Sequence, residues 1–218
     1  MKKTISTLHY LVFTGVTALL LSGCVSMSTM QTGRTVGQGN SEVNVGGSGV
    51  KYAFVLGIEE LDTASVSAPM LEADFRYGVT DKLDIGGKVS LLGTSGLYGK
   101  YQFLGDRESV LAGSVGAGFS YLQLGAESGI DETSFSIFDF TVPVYFSVHP
   151  VKWIGIYATP RYTLRLVGGA SHWFGGTGGI RLGNRFGGFA EYSLFTSSSA
   201  TTNLSQVAFG LSFGIGGK

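Results

Sequence analysis

The sequence predicts an all-β fold, an antiparallel up-and-down β-barrel of about ten strands, with eight or twelve strands as alternatives. Two observations support this prediction. Apolar and polar residues alternate with a period of two over many short stretches, and glycine is abundant, at 35 of 218 residues. A period of two places successive side chains on opposite faces of a strand. Many short strands with frequent glycine are typical of sandwiches and barrels.

The clearest strand pair is the hairpin at residues 71–91, LEADFRYGVTDKLDIGGKVSL, which turns at Thr80-Asp81. Both strands carry one apolar and one polar face, and a loop of about three residues is needed to match the faces. Opposite charges then face each other on the polar side. The facing pairs are Arg76 with Asp84 and Glu72 with Lys88 or, one step along, Asp74 with Lys88.

The same alternation places ten strands along the chain. Their connections are short after strands 2, 4, 6 and 8, where strand 6 ends at a His149-Pro150 turn, and longer after strands 1, 5, 7 and 9. The connection after strand 3 is short and departs from this pattern. Short periplasmic turns, longer outer loops and an even strand number indicate a transmembrane barrel with both termini on the periplasmic side. The predicted strands are 42–56, 71–79, 83–91, 96–104, 109–124, 134–148, 153–166, 173–182, 186–195 and 204–215.

Alternation alone does not say which face is inside, because a soluble barrel hides its apolar face and a membrane barrel turns it to lipid. The apolar rows here are continuous and rich in aromatic residues, and the polar faces carry charges of both signs, which favours a membrane barrel with a polar lumen. Opposite charges that pair would fill a narrow lumen, as in a predicted Asp139–Arg161 pair. The lumen-lining candidates are Glu72, Asp74, Arg76, Asp84, Lys88, Lys100, Asp139, Arg161, Arg165, Arg181 and Glu191.

Two stretches carry a resemblance to known proteins. Residues 76–86, RYGVTDKLDIG, resemble hairpins that recur in bacterial outer-membrane β-barrel proteins. The last strand, residues 209–215, resembles the C-terminal strand signal recognised by the barrel-assembly machinery, although the chain continues through Gly216 rather than ending in an aromatic residue. The resemblance implies an outer-membrane location and names no activity.

The N-terminus has the form of a secretory signal, with Lys2 and Lys3 followed by an apolar run at residues 8–21. The next residues, Leu21-Ser22-Gly23-Cys24, resemble the bacterial lipobox. The resemblance implies a signal peptide over residues 1–23 and a lipidated Cys24 that anchors the protein in the outer membrane. Residues 24–40, rich in Ser, Thr, Gly and Gln, are predicted to be a flexible tether, and residues 41–218 the barrel.

Catalytic and metal-binding patterns are weak. Ser171 and His172 lie side by side near a predicted outer loop, where outer-membrane enzymes can place catalytic groups, but no recognisable enzyme motif surrounds them. No His, Cys or carboxylate group has metal-ligand spacing, no cofactor is indicated, and the balance of 15 basic and 15 acidic residues gives no reason to expect nucleic acid.

The sequence therefore predicts a non-enzymatic outer-membrane β-barrel lipoprotein with a structural, binding or minor-permeation role. The alternatives are a rim enzyme acting on lipid or peptide and a tethered periplasmic lipid-binding barrel. The expected partners are outer-membrane lipids and the lipoprotein-processing and barrel-assembly machinery, and the oligomeric state is left open.

Overall fold

Ten antiparallel strands close into a barrel in the computed structural model, which describes residues 27–54, 64–91, 93–128, 131–198 and 202–216. Each strand pairs with its neighbours in sequence, and the first strand pairs with the last. The predicted fold class and strand number are confirmed. The strands are β1 (Ser41–Phe54), β2 (Ala64–Gly78), β3 (Leu83–Ser90), β4 (Ser95–Leu104), β5 (Leu111–Ser128), β6 (Asp131–Val151), β7 (Ile154–Leu166), β8 (Ala170–Gly183), β9 (Phe186–Ser197) and β10 (Thr202–Ile215).

The two ends of the barrel differ in what they carry. One end, here called the turn end, holds the start of β1 at Ser41, the end of β10 at Ile215, and the connections after β2, β4, β6 and β8. The opposite end, here called the loop end, holds the connections after β1, β3, β5, β7 and β9. The predicted signal peptide and Cys24 lie outside the described residues.

The hairpin of β5 and β6 is longer than the sequence predicts. A loop was predicted between residues 124 and 134, but the strand ladder continues through Gly125↔Ser134 to Ser128↔Asp131. Only two residues therefore separate these strands, and the predicted long connection after strand 5 is wrong. In this part the two strands pair only with each other, because β4 pairs with β5 as far as Tyr121 and β7 pairs with β6 as far as Phe138. Residues 125–134, GAESGIDETS, carry no apolar alternation from which strands could be predicted.

The outward face of the barrel is apolar, and the inward face is polar. Large apolar side chains remain exposed on the outside of every strand, whereas the buried inward side chains are mostly polar or charged. A soluble barrel would have the opposite arrangement, so the structure decides in favour of a barrel embedded in lipid. Among the outward side chains are Val45, Phe75, Ile85, Leu97, Phe119, Phe140, Ile156, Leu182, Leu194 and Phe209.

Among the residues that the structure describes, no helix is long and apolar enough to cross a membrane.

The N-terminal residues 27–40, here called the lumen segment, lie inside the barrel. The sequence predicts a flexible tether over residues 24–40, and for the described part this prediction is wrong. The segment begins at Met27, whose side chain is 1% exposed, and ends at Asn40, which accepts a hydrogen bond from Gly78 N (2.9 Å). A segment rich in Ser, Thr, Gly and Gln has the composition of a solvated coil, but the same small polar groups also suit a narrow, hydrogen-bonding lumen.

Candidate functional site: a lumen closed by its own N-terminal segment

The acidic side chains of the wall accept hydrogen bonds from backbone N–H groups of the lumen segment. Glu191 accepts from Thr29 N (2.9 Å), from Thr29 Oγ1 (2.6 Å) and from Met30 N (2.6 Å). Asp84 accepts from Val36 N with both carboxylate oxygens, at 3.2 and 3.1 Å. These two carboxylates thus hold the segment at two levels along the barrel axis.

The basic side chains of the wall donate to backbone carbonyl groups of the same segment. Lys88 Nζ donates to Ser28 O (2.9 Å), and Lys100 Nζ donates to Arg34 O (2.8 Å). Arg161 donates to Met27 O. The sign of each wall charge therefore matches the backbone group that it meets.

Neutral side chains complete the contacts. Gln206 Oε1 accepts from Met27 N (2.7 Å), and Gln102 Oε1 accepts from Thr35 N (2.9 Å). Buried backbone groups require partners, and an extended segment without a neighbouring strand must find them elsewhere. In this barrel the wall side chains take the place of a neighbouring strand.

Glycine allows the segment to approach the wall closely. A Cβ at Gly33 would lie 2.6 Å from Ala112 O and 3.0 Å from Ser147 Oγ. A Cβ at the inward-facing Gly78 of β2 would collide with the backbone carbonyl of Gly37 in the segment. Larger residues at either position would displace the segment.

A buried carboxylate at the start of β1 joins two arginines near the turn end. Glu42 lies 2.7 Å from Arg76 and 2.6 Å from Arg181, measured between the nearest charged atoms. Arg76 also lies 3.8 Å from Asp84, which is 3.6 Å from Lys100. Glu42 was not among the predicted lumen residues. It lies on the same polar face of β1 as Asn44, and the alternation of that strand could have predicted it.

The structure selects the second of the two predicted registers for the β2–β3 hairpin, the one in which Asp74 faces Lys88. The ion pairs nevertheless form diagonally. Lys88 Nζ lies 2.7 Å from Glu72, and Asp74 instead accepts from Tyr98 Oη (2.6 Å). Diagonal neighbours across an antiparallel pair are within reach of long side chains.

The predicted pairing of Asp139 with Arg161 is wrong. Asp139 faces Arg165 in the β6–β7 ladder and accepts two hydrogen bonds from it, each of 2.9 Å. Arg161 faces Pro143. The sequence placed the turn at His149-Pro150, whereas β6 continues to Val151, and this difference changes the register.

A double-mutant cycle will test this pair. Asp139→Ala alone leaves the guanidinium of Arg165 buried without its carboxylate, so we expect a loss of about 3–5 kcal/mol in the free energy of unfolding. Adding Arg165→Ala should recover about 0.5–3 kcal/mol of that loss. Chemical unfolding in lipid vesicles measures both values. The matched cycle is Asp139 with Arg161; if its coupling equals or exceeds that of Asp139 with Arg165, the observed pair is incorrect.

The structure brings all eleven predicted lumen residues to the inner wall. Nine of them are buried, and Lys88 and Arg161 are partly buried. Their observed contacts are with the lumen segment as well as with one another, which the sequence did not indicate. The inward aromatic and amide groups that share these contacts, and that the sequence did not single out, are Asn44, Tyr98, Gln102, Tyr157 and Gln206.

Ser171 and His172, the residues considered for a rim enzyme, lie on opposite faces of β8. The Ser171 hydroxyl accepts from Trp173 Nε1 at 3.2 Å, on the lumen side. His172 is exposed on the outer face, and its Nδ1 lies 2.7 Å from Tyr162 Oη. The two side chains therefore do not form a nucleophile–base pair. Among the described residues, no group of three or more His, Cys, Asp or Glu could hold a metal ion.

A cavity of about 340 Å³ opens at the turn end, between residues 32–36 of the lumen segment and the turns. Arg34, Arg107 and Lys152 line it together with Glu108. Lys152 lies 2.6 Å from Glu108, and this hydrogen bond lowers the pKa of the Glu108 carboxyl. Both side chains are largely exposed, so the pair contributes little to stability.

No protein-family model and no curated protein sequence matches the chain. Among solved structures, it is similar to the translocator domain of the autotransporter NalP from Neisseria meningitidis, with a TM-score of 0.54, 13% sequence identity, and 95% of this chain and 96% of that chain covered. It is also similar to an outer membrane channel from Pseudomonas putida F1, with a TM-score of 0.51, 8% identity, and 88% and 100% covered. The fold is that of an outer-membrane β-barrel. At these identities the likeness concerns the fold alone.

Proposed function

We propose that this barrel is an outer-membrane lipoprotein with a structural or binding role in the envelope, and that it is held closed by its own N-terminal segment. The observation that carries the proposal is the occupied lumen. Backbone groups of residues 27–36 are hydrogen-bonded to wall charges of both signs, from Arg161 and Glu191 to Asp84. A diffusion pore needs an open aqueous path, and residues 27–36 of the lumen segment occupy the middle of this lumen, leaving a cavity of about 340 Å³ at the turn end.

The orientation follows from the two ends. Transmembrane barrels have short periplasmic turns and longer outer loops. The turn end holds both strand termini and connections of at most six residues, whereas the loop end holds the nine-residue connection after β1. We therefore assign the turn end to the periplasm and the loop end to the outside. The lipobox-like Leu21-Ser22-Gly23-Cys24 supports acylation of Cys24 and processing by the lipoprotein machinery. The apolar exterior supports outer-membrane lipids as the main partners.

The closed state is tested by conductance in planar bilayers. We expect the purified protein to insert, to migrate anomalously on a denaturing gel when unheated, and to show only rare and brief current steps. A large, steady conductance of the folded protein would make permeation the better function.

Acylation is tested separately by feeding cells a labelled fatty acid. The wild-type protein should take up the label, and Cys24→Ala should lose it completely because the acylated thiol is absent. The matched control is Ser22→Ala, which keeps the thiol and a small residue within the motif. A wild-type protein that incorporates no label would remove the lipoprotein assignment and leave the barrel assignment standing.

A further inference from the structure

We infer that the acylated N-terminus leaves the lumen at the loop end, so that Cys24 presents its lipid to the outer leaflet, on the side opposite to the start of β1. The inference rests on the acylation proposed above and adds the side of the membrane to it. It follows from the direction in which the lumen segment runs and from its length.

The described chain begins close to the loop end. Met27 packs in a buried cluster with Trp173 of β8 and Leu204 of β10. Trp173 is three residues from the loop-end start of β8, and Leu204 is two residues from the loop-end start of β10. The first described residue therefore lies in the loop-end part of the lumen.

The segment crosses the lumen once, from the loop end to the turn end. After Met27, its successive contacts are with Glu191 at Thr29, with Lys100 at Arg34 and with Asp84 at Val36. It reaches the turn end at Gly39, whose N–H donates to Gly78 O (2.9 Å). Because contacts fix the segment along its length, its N-terminal end points toward the loop end.

The residues before Met27 are too few to return to the turn end. Two residues, Val25 and Ser26, separate Cys24 from Met27, and the three residue steps span at most about 11 Å. The same cluster contains Val50, which lies nine residues along β1 from Ser41. At a rise of about 3.3 Å per residue and a strand tilt of about 40°, that distance is roughly 23 Å along the barrel axis. Cys24 therefore cannot return to the turn end.

This position distinguishes the protein from a lipoprotein tethered to the periplasmic leaflet. With the turn end in the periplasm, the acyl chains meet lipid at the outer face of the membrane. The barrel then encloses the segment that leads to the acylated N-terminus at that face, and the wall charges hold this segment in place.

The test uses a linker with a specific protease site, inserted between Ser26 and Met27 in the full-length protein and expressed in cells fed a labelled fatty acid. Two control proteins carry the same linker after Ser198, at the loop end, or after Asn184, at the turn end. Protease is added to intact cells and to cells whose outer membrane has been opened. The readouts are the fatty-acid label that remains on the barrel band and the sizes of the protein fragments.

We expect protease on intact cells to remove most of the label from the N-terminal insertion and to cut the Ser198 insertion, whereas the Asn184 insertion is cut only after opening. An N-terminal insertion that is cut only after opening, or not at all while the Ser198 control is cut, overturns the inference. Controls with the reverse accessibility also overturn it. If no label is incorporated, the proposed acylation fails, whereas the cleavage pattern still reports the side.

A second variant is used if the inserted linker prevents folding. Ser26→Cys keeps the chain length, and its thiol can be labelled with a membrane-impermeant maleimide. We expect labelling on intact cells comparable to Ser198→Cys and at least about ten-fold above Asn184→Cys. Labelling of Ser26→Cys at the level of Asn184→Cys contradicts the inference.

Discussion

Deletion of residues 27–36 should convert the closed barrel into a conducting pore, and this is the largest functional change that we expect. The deletion removes the backbone groups that Glu191, Lys88 and Asp84 now hold. The deletion leaves a passage lined by charged side chains. Its cross-section is roughly 5 by 10 Å, taking the width of the segment as the spacing between neighbouring strands and its depth as the spacing between packed sheets. The turn at residues 37–40, which leads into β1, stays in place.

Planar-bilayer recording measures this effect. Long, steady openings should replace the rare steps of the wild type, and a synthetic peptide of residues 27–36 should block them. Unheated gel migration shows whether the deletion variant has folded. A folded variant that conducts no more than the wild type would mean that wall side chains alone close the lumen.

A milder variant acts on the same contact. Gly78→Ala places a methyl group against the backbone of Gly37, so the lumen segment must shift near Gly37. The matched control is Gly99→Ala in β4, where the nearest atom to the added methyl group is Asp84 O at 4.0 Å. We expect more frequent openings in the first variant and wild-type behaviour in the second.

A loss of stability as large as that of Asp139→Ala is expected for Glu42→Gln. The substitution keeps the shape of the side chain but leaves Arg76 and Arg181 without the carboxylate that both contact. Breaking a buried ion pair from one side typically costs about 3–5 kcal/mol. We therefore expect the free energy of unfolding to fall by about that amount.

Urea-induced unfolding from lipid vesicles, followed by tryptophan fluorescence and gel migration, measures the loss. Glu108→Gln is the matched control, because Glu108 pairs with Lys152 at the exposed turn end and should change stability by less than about 1 kcal/mol. Equal losses in the two variants would contradict a dominant role for the buried Glu42 site.

The strands and their faces could be predicted from the sequence, because a period of two is imposed locally by the backbone. The alternation around Phe75 and Arg76 assigns one side chain to lipid and the next to the lumen, and the structure agrees. The hairpin register could be narrowed to two choices by the charges. The choice between them depends on the geometry of the turn at residues 79–82, which the side-chain pattern does not determine.

Long-range partners could not be predicted in the same way. Arg161 appeared to belong with Asp139 because a turn was placed two residues too early, and one shift in register moves every facing pair. The lumen segment has no periodicity, and its partners lie far away in sequence, as Thr29 and Glu191 show. A short polar segment that binds in a lumen and one that remains in solvent have the same composition.

The segment's covalent continuity with β1 constrains the order of assembly. β1 pairs with β10 along its whole length, from Ser41↔Ile215 to Phe54↔Thr202, and this pairing is the one that joins the two ends of the sheet. With the proposed acyl group at its tip, the segment could not be threaded through a lumen already packed with side chains. We therefore expect the sheet to curl around the segment while it is still open, and the β1–β10 ladder to form last. Such a barrel would not be hollow at any stage of its insertion.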